Sequence, residues 1–229
     1  MNTLIVDIGT SSMRGILFTE QGERLASCQV LYEPVKYPDG RIEQAPGDFS
    51  GALRKIASAA AKEAKEQKTA VDAVAVTAQR SAIIPVDRDG KPLMDTIMWQ
   101  DRRNAGICKE LEGKNDLIFE RSGARINTVF SGSRMAWILR NCPEVFERLF
   151  KLVNIPEFVM HEMTGEYKTD VTYASRSHLM NLRTRRWGEE MLGLFGVPGE
   201  LLCEILEPGS VCGRVTKAFA EETGLSEGI

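Results

Sequence analysis

The sequence predicts a mixed α/β fold, on three observations. Three apolar, β-prone runs follow one another within residues 3–31, a helix-periodic stretch begins near residue 48, and strand-like runs return at Val71–Thr77 and Ile83–Val86. Strands, one helix and further strands require at least one crossover, and hence a mixed sheet flanked by helices. From Arg102 onward the pattern turns mainly helical, which predicts a helical insertion on that sheet.

Leu4–Ile8 is apolar almost throughout and predicts a central strand covered on both faces. Met13–Phe18 is the second strand, and the Glu20-Gln21-Gly22 turn leads into a third, Leu25–Leu31. Glu33–Gly47 holds three prolines and two glycines, so an irregular loop is expected. Asp48 is placed to cap the next helix, in which Phe49, Leu53, Ile56 and Ala60 recur at helical spacing and a Lys/Glu-rich face runs to Lys68. Val71–Thr77 and Ile83–Val86 are strands, and Asp87-Arg88-Asp89-Gly90 turns the chain toward Leu93 and Ile97-Met98.

Helices are then expected at Arg102–Leu111, at Asn115–Arg121 (ended by Gly123), at Ser133–Arg140, at Glu144–Phe150 led by Pro143, and at Pro156–Met163 (stopped by Gly165). Thr169–Leu182 is polar and β-prone and suggests a hairpin. Trp187–Phe195 and Glu200–Ile205 are read as short helices around the breaker run Gly196-Val197-Pro198-Gly199. Val211–Val215 is expected as a strand, and Thr216 caps Lys217–Thr223, which Gly224 ends. Leu225–Ile229 then resembles the start of a strand, so the chain is expected to be part of a longer protein.

At 229 residues with 43% hydrophobic content, the chain can bury a substantial core. A net charge of −3 gives no global basic field, so neither nucleic acid nor an anionic membrane is an expected partner. The five cysteines (Cys28, Cys108, Cys142, Cys203, Cys212) are odd in number and form no CxxC pair, which speaks for a reducing compartment. His161 and His178 are read as structural. With no secretory signal pattern and no apolar run of the ~18–20 residues a bilayer requires, a cytoplasmic protein is expected.

Four stretches carry candidate chemistry. In the first, the strand Leu4–Ile8 contains Asp7 and runs into Gly9-Thr10-Ser11-Ser12 before Arg14. A bend with free N–H groups and three hydroxyls suits phosphate oxygens, and a lone carboxylate suits a largely hydrated magnesium ion. The alternative is an ordinary hairpin with polar turn residues. In the second, Gln79-Arg80-Ser81 follows a strand, where α/β sheets bind ligands, although a solvated strand end reads the same way. In the third, Trp99-Gln100-Asp101-Arg102-Arg103 places an aromatic ring beside amide, acid and base, as polyol sites do. Trp99 in the core with Asp101 as a helix cap is the competing reading. The fourth, Thr169–Arg176, is polar and is read by default as a loop or edge hairpin.

Asp7-Ile8-Gly9-Thr10-Ser11-Ser12-Met13-Arg14, then Gln79-Arg80, then Asp89-Gly90-Lys91-Pro92 leading to Trp99-Gln100-Asp101-Arg102-Arg103, resembles the FGGY carbohydrate kinase family in order and separation. Phe130-Ser131-Gly132 before Trp137-Ile138-Leu139, and Asp170–Arg176 followed by Asn181-Leu182, extend the resemblance over essentially the whole chain, the last stretch being most similar to the glycerol kinase branch. The resemblance implies a ribonuclease H-like, actin-like fold, ATP with Mg²⁺, and phosphoryl transfer to a hydroxyl of a sugar or polyol. It covers the N-terminal, substrate-side domain, residues 1–229, and implies a C-terminal domain of the same protein as partner; a homo-oligomer is left open. It further implies that Gly9, Thr10, Ser11, Ser12 and Arg14 face the ATP phosphates and Asp7 the metal, while Gln79, Arg80, Ser81, Trp99 and Asp101 are acceptor-side residues.

Two positions depart from the glycerol kinase pattern: Ser81 stands where a substrate-binding glutamate is found, and Val129 where a tyrosine is found. Those departures point away from glycerol and toward another linear sugar such as a pentulose or tetritol. The resemblance places the catalytic aspartate beyond Ile229, so residues 1–229 alone are expected to be inactive. A second functional class stays in view, an actin- or chaperone-like ATPase module that phosphorylates no small molecule. The Gln79-Arg80 and Trp99-Gln100-Asp101 stretches have no evident task in such a module.

Overall fold

The computed structural model describes residues 1–229. β1 (Thr3–Ile8), β2 (Ser12–Phe18) and β3 (Arg24–Leu31) form an antiparallel meander. β4 (Val35–Lys36) and β5 (Ile42–Gln44) lie in the stretch expected to be irregular; each is too short to leave a periodic signature. α1 (Pro46–Glu66) crosses over the sheet, and β6 (Ala73–Ala78) returns parallel to β1, giving the order β3-β2-β1-β6. This is the mixed sheet with a crossover that the pattern predicts.

β1 is central but covered closely on one face only. Leu4, Val6 and Ile8 are buried, whereas Ile5 is half-buried and Asp7 exposed. The buried row meets Phe49, Leu53 and Ile56 of α1 in a shared core. α1 approaches so closely that a Cβ on Gly15 would fall 2.1 Å from Ile56 Cγ2, so the helix and β2 can touch only because residue 15 has no side chain. The helix begins at Pro46, where a missing N–H costs nothing, and not at Asp48; Asp48 stands in its first turn, where its charge suits the dipole.

β7 (Ile84–Val86) and β8 (Thr96–Ile97) follow, with β8 pairing β5. The next helices are α2 (Ala105–Glu110), α3 (Asn115–Ser122), α4 (Ser131–Asn141) and α5 (Pro143–Phe146). α2 starts later than Arg102 because the Asp101 carboxylate accepts the Arg103 N–H at 2.9 Å and folds residues 101–103 into a local turn. β9 (Lys151–Val153) pairs β7, and α6 (Ile155–Thr164) ends at Gly165 with φ +76°.

Thr169–Leu182 is not a hairpin. β10 (Lys168–Asp170) stops because the Asp170 carboxylate accepts the N–H groups of Thr172 and Tyr173 at 2.6 and 3.2 Å, opening the short α7 (Val171–Ala174). β11 (Met180–Asn181) pairs β12 (Arg186–Trp187), so Trp187 precedes α8 (Glu189–Phe195) and does not begin it. The expected helix Glu200–Ile205 is a single 3₁₀ turn, Gly199–Leu201, followed by β13 (Glu204–Leu206), which lies parallel to β10. Val211–Val215 forms no strand; Val215 instead exchanges backbone hydrogen bonds with Gly228 and Ile229 at 2.9 and 3.1 Å. α9 (Lys217–Thr223) closes the chain, capped by Thr216 and ended by Gly224 as expected.

Two apolar clusters hold the molecule. The first joins the large sheet to α1, α6 and α9; the second lies among α2, α3, α4, α8 and β9. Consecutive residues Ile83 and Ile84 bury into the second and first cluster respectively, so the start of β7 marks the seam. No helix is long and apolar enough to cross a membrane. Beside the free edge of β6, a cavity of about 420 Å³ is lined by apolar residues that include Val74, Val76, Met160, Met163, Val215 and Ile229.

Candidate active site

The functional side chains converge where β1 and β6 end side by side. Asp7 stands opposite Arg14 on β2 and Thr77 on β6, so one row across the exposed face of the sheet reads Gln29, Arg14, Asp7, Thr77. Alternation along paired strands puts these side chains on the same face. The hairpin between β1 and β2 is closed by the Gly9 N–H donating to the Ser12 carbonyl at 2.8 Å; a Cβ on Gly9 would meet that carbonyl oxygen at 3.2 Å.

This turn is joined to the two later stretches by side chains. The Thr10 hydroxyl donates to Gln79 Oε1 at 3.0 Å and accepts the Trp99 Nε1–H at 3.3 Å. Gln79 Nε2 donates to the Gly9 carbonyl at 3.1 Å, and the Gln79 N–H to the Ile8 carbonyl at 2.7 Å. Three segments separated by up to 89 residues thus meet at one hydroxyl. Trp99 stays 37% exposed, with its ring free to face a ligand while its N–H is fixed. Ser11 is exposed, and Ser12 Oγ accepts from Gln29 Nε2 at 3.0 Å. Arg14 is exposed and lies 3.4 Å from Gln29 Oε1, so its guanidinium keeps most of its donors.

Tyr32, which the sequence did not single out, braces the turn from behind. Its hydroxyl donates to the Gly9 carbonyl at 3.0 Å and its N–H to the Ser11 carbonyl at 3.1 Å. Burial, then the nearby Asp7 and Asp48 charges, raise the Tyr32 phenol above its ordinary value, so it remains a donor. Arg80 is exposed and its guanidinium lies 5.2 Å from the Tyr173 ring centre, an arrangement that aims the side chain without using its hydrogen bonds.

Two acceptor-side expectations are placed elsewhere. Asp101 is fully buried: its carboxylate accepts the Ile42 N–H at 2.7 Å and a bidentate pair from Arg103 at 2.9 and 2.7 Å. Burial alone would raise this carboxyl, but Arg103 and the two backbone N–H groups outweigh it and hold it below the usual carboxylate range. Arg103 also reaches Glu43 at 2.7 Å. Asp101 therefore pins residues 99–103 to β5 and does not face the cleft. Ser81 is buried with φ +72°, and its hydroxyl donates to the Arg176 carbonyl at 3.3 Å.

The donor set fits the groups the sequence implies. Asp7 is a single exposed carboxylate beside hydroxyls, and no three His, Cys, Asp or Glu side chains converge anywhere in the chain. A single carboxylate could hold a hard, mostly hydrated ion only together with water and phosphate oxygens. The hydroxyls and N–H groups of the 9–12 turn suit phosphate.

The sequence profile of the "FGGY family of carbohydrate kinases, N-terminal domain" matches residues 2–229. Glycerol kinase of Thermococcus gammatolerans is 34% identical over 220 residues, covering 93% of this chain and 44% of that protein. Among solved structures, Plasmodium falciparum glycerol kinase with ADP superposes with a TM-score of 0.92 at 27% identity, covering 100% of this chain and 47% of that one. Xylulose kinase of Rhodospirillum rubrum superposes with a TM-score of 0.94 at 22% identity, covering 100% of this chain and 47% of that one, which shows the fold. This chain spans about half the length of the relatives it matches.

Proposed function

Because the chain belongs to the FGGY family of carbohydrate kinases, we propose that it forms the substrate-side half of an enzyme that transfers the γ-phosphoryl group of ATP to a hydroxyl of a sugar or polyol. The observation that carries this reading is the Thr10 hydroxyl, which ties the phosphate-type turn to Gln79 and Trp99 within single hydrogen bonds. A phosphate donor on one side and a carbon skeleton on the other then approach the same few ångströms, which is what in-line transfer demands.

In this reading the N–H groups and hydroxyls of residues 9–12, with Arg14, receive the ATP phosphates. Asp7 would hold Mg²⁺ through water, and such an ion would supply positive charge beside the phosphate oxygens. Trp99 stacks on the acceptor's carbon skeleton, while Arg80 and the remaining valences of Gln79 address its hydroxyls. The acceptor oxygen forms the new bond to the γ-phosphorus, the bond to the β,γ-bridging oxygen breaks, and ADP leaves. The hydroxyl proton passes to a carboxylate from outside residues 1–229, as in the family. The enzyme works in the cytoplasm.

Ser81 leaves no carboxylate to bind the acceptor, since its hydroxyl is buried against Arg176. Val129 likewise offers no phenol. Both favour an acceptor longer than glycerol. A coupled ADP-release assay of the whole protein against polyols and ketoses tests the reading. ADP release stimulated by one class of linear polyol or ketose is expected, with Gln79→Ala raising the acceptor KM. Sugar-independent turnover would instead support the ATPase module.

A further inference from the structure

Arg134 of α4 is fully buried and forms no salt bridge; the Asp101 carboxylate, whose charge reaches it, is itself paired with Arg103. Its guanidinium donates only to backbone carbonyls: Nη1 to Ser81 at 2.5 Å, and Nη2 to Thr128, Trp99 and Asp101 at 2.9, 3.1 and 3.3 Å. Burying a guanidinium with no direct ion pair is costly, so the site retains it for what the planar fork of donors does. The four carbonyls belong to three separate segments. Each segment carries an acceptor-side position: Gln79-Arg80 before Ser81, Trp99 itself, and Val129 after Thr128. Ser81 holds a left-handed backbone, unfavourable for a residue other than glycine, with its carbonyl on the shortest of these bonds. Asn104 supports the arrangement, donating to the Thr128 carbonyl at 3.0 Å and to Ser133 Oγ at 2.7 Å.

We propose that Arg134 is the positioning residue of the acceptor side, setting where Gln79 and Arg80 stand relative to Trp99 by holding the carbonyls of their two segments together with that of Thr128. The inference rests on reading those residues as acceptor contacts. Arg134 touches no substrate; it acts through the backbone. Lysine, with a compact tetrahedral head, cannot span all four carbonyls, so Arg134→Lys restores part of the arrangement and Arg134→Met none of it.

The test compares steady-state kinetics of the whole protein with Arg134→Lys and Arg134→Met, together with the Trp99 indole N–H resonance of each. The acceptor KM is expected to rise roughly 10- to 100-fold in Arg134→Met, the scale that misplacement by an ångström costs. The ATP KM should rise clearly less than the acceptor KM, since the 9–12 turn keeps its two hydrogen bonds to Tyr32 whatever happens to Gln79 and Trp99, and Arg134→Lys should fall between. The indole resonance should shift in the same order. Equal changes in both KM values, or kinetics unchanged in a folded Arg134→Met, would overturn the proposal. If Arg134→Met does not fold, Arg134→Lys decides by the same ratio of KM changes. If the wild-type protein phosphorylates no polyol, the acceptor reading fails separately. The resonance then still decides on Arg134, and an unshifted Trp99 indole in a folded variant sinks it.

Discussion

At the scale of single residues, the site is built from side chains whose hydrogen-bonding capacity is already partly committed. Thr10 uses its one proton on Gln79 and one lone pair on Trp99. Thr10→Val keeps the shape and removes both bonds, so a loss of about 1–2 kcal/mol is expected in urea unfolding, with Thr10→Ser retaining most of it. His178 makes a prediction of a different kind. Its imidazole is fully buried against Phe130 and Phe195, with ring centres 4.0 and 5.9 Å away, and neither nitrogen has a hydrogen bond of ordinary geometry. Burial pulls its pKa from 6.5 down to about 4; the Arg125 backbone carbonyl opposes this and the nearby Arg176 charge adds to it. The unfolded chain therefore takes up the proton first. Stability is full above pH 6.5 and falls as the pH drops toward 4, by roughly 3 kcal/mol in all. His178→Asn, which tolerates the observed φ of +67°, should lose that dependence in denaturation measured at pH 5 and pH 7.

The residue scale also shows how far the sequence was legible. Residue type alone marks Thr10, Gln79 and Trp99 only as candidates, since an ordinary polar turn, a solvated strand end and a core tryptophan read the same way; the family resemblance is what joins them. Asp101 was misassigned: a carboxylate before a basic pair looks the same whether it faces a cleft or an internal arginine. Arg134, inside the helix expected at Ser133–Arg140, is not singled out by the sequence. It lies four residues before the buried Ile138, so a charge in phase with the apolar stripe of α4 was the available signal.

At the scale of elements, long periodic segments were readable and short ones were not. α1 and the β1–β3 meander follow from periodicity alone. β4, β5, β10 and β13 have two or three residues each; β5, β10 and β13 pair with strands distant in sequence, and β4 is held only by β5. Asp170 decides the local structure after β10 by capping, which outweighs the β-prone residues that follow it. The packing of α1 on β2 rests on one missing side chain. Gly15→Ala should destabilise the protein by about 1–3 kcal/mol as its Cβ meets Ile56 Cγ2. Combining it with Ile56→Ala should cost less than the sum of the two single changes, measured as a double-mutant cycle by thermal or urea unfolding. Strict additivity would mean that the contact does not limit the approach of the helix.

At the scale of the whole molecule, the two apolar clusters meet along β7, and the candidate site lies at that seam. The sheet contributes the phosphate-type turn, while α4 of the second cluster reaches across with Arg134. On the proposed reading, the helical part shapes the acceptor side and the sheet the donor side. The mixed sheet and the helical insertion were legible from the order of periodic segments; their mutual placement was not, because it depends on buried contacts such as Arg134 with Ser81 that no local pattern encodes. The central claim is that phosphoryl groups pass from ATP to a polyol across this seam. The most direct measurement is to incubate the whole protein with γ-³²P-labelled ATP and a panel of linear polyols and ketoses, then separate sugar phosphates from inorganic phosphate. Label carried on one acceptor, and reduced in Thr10→Val and Gln79→Ala, is the expected result. Label released only as inorganic phosphate, whatever sugar is present, would contradict it.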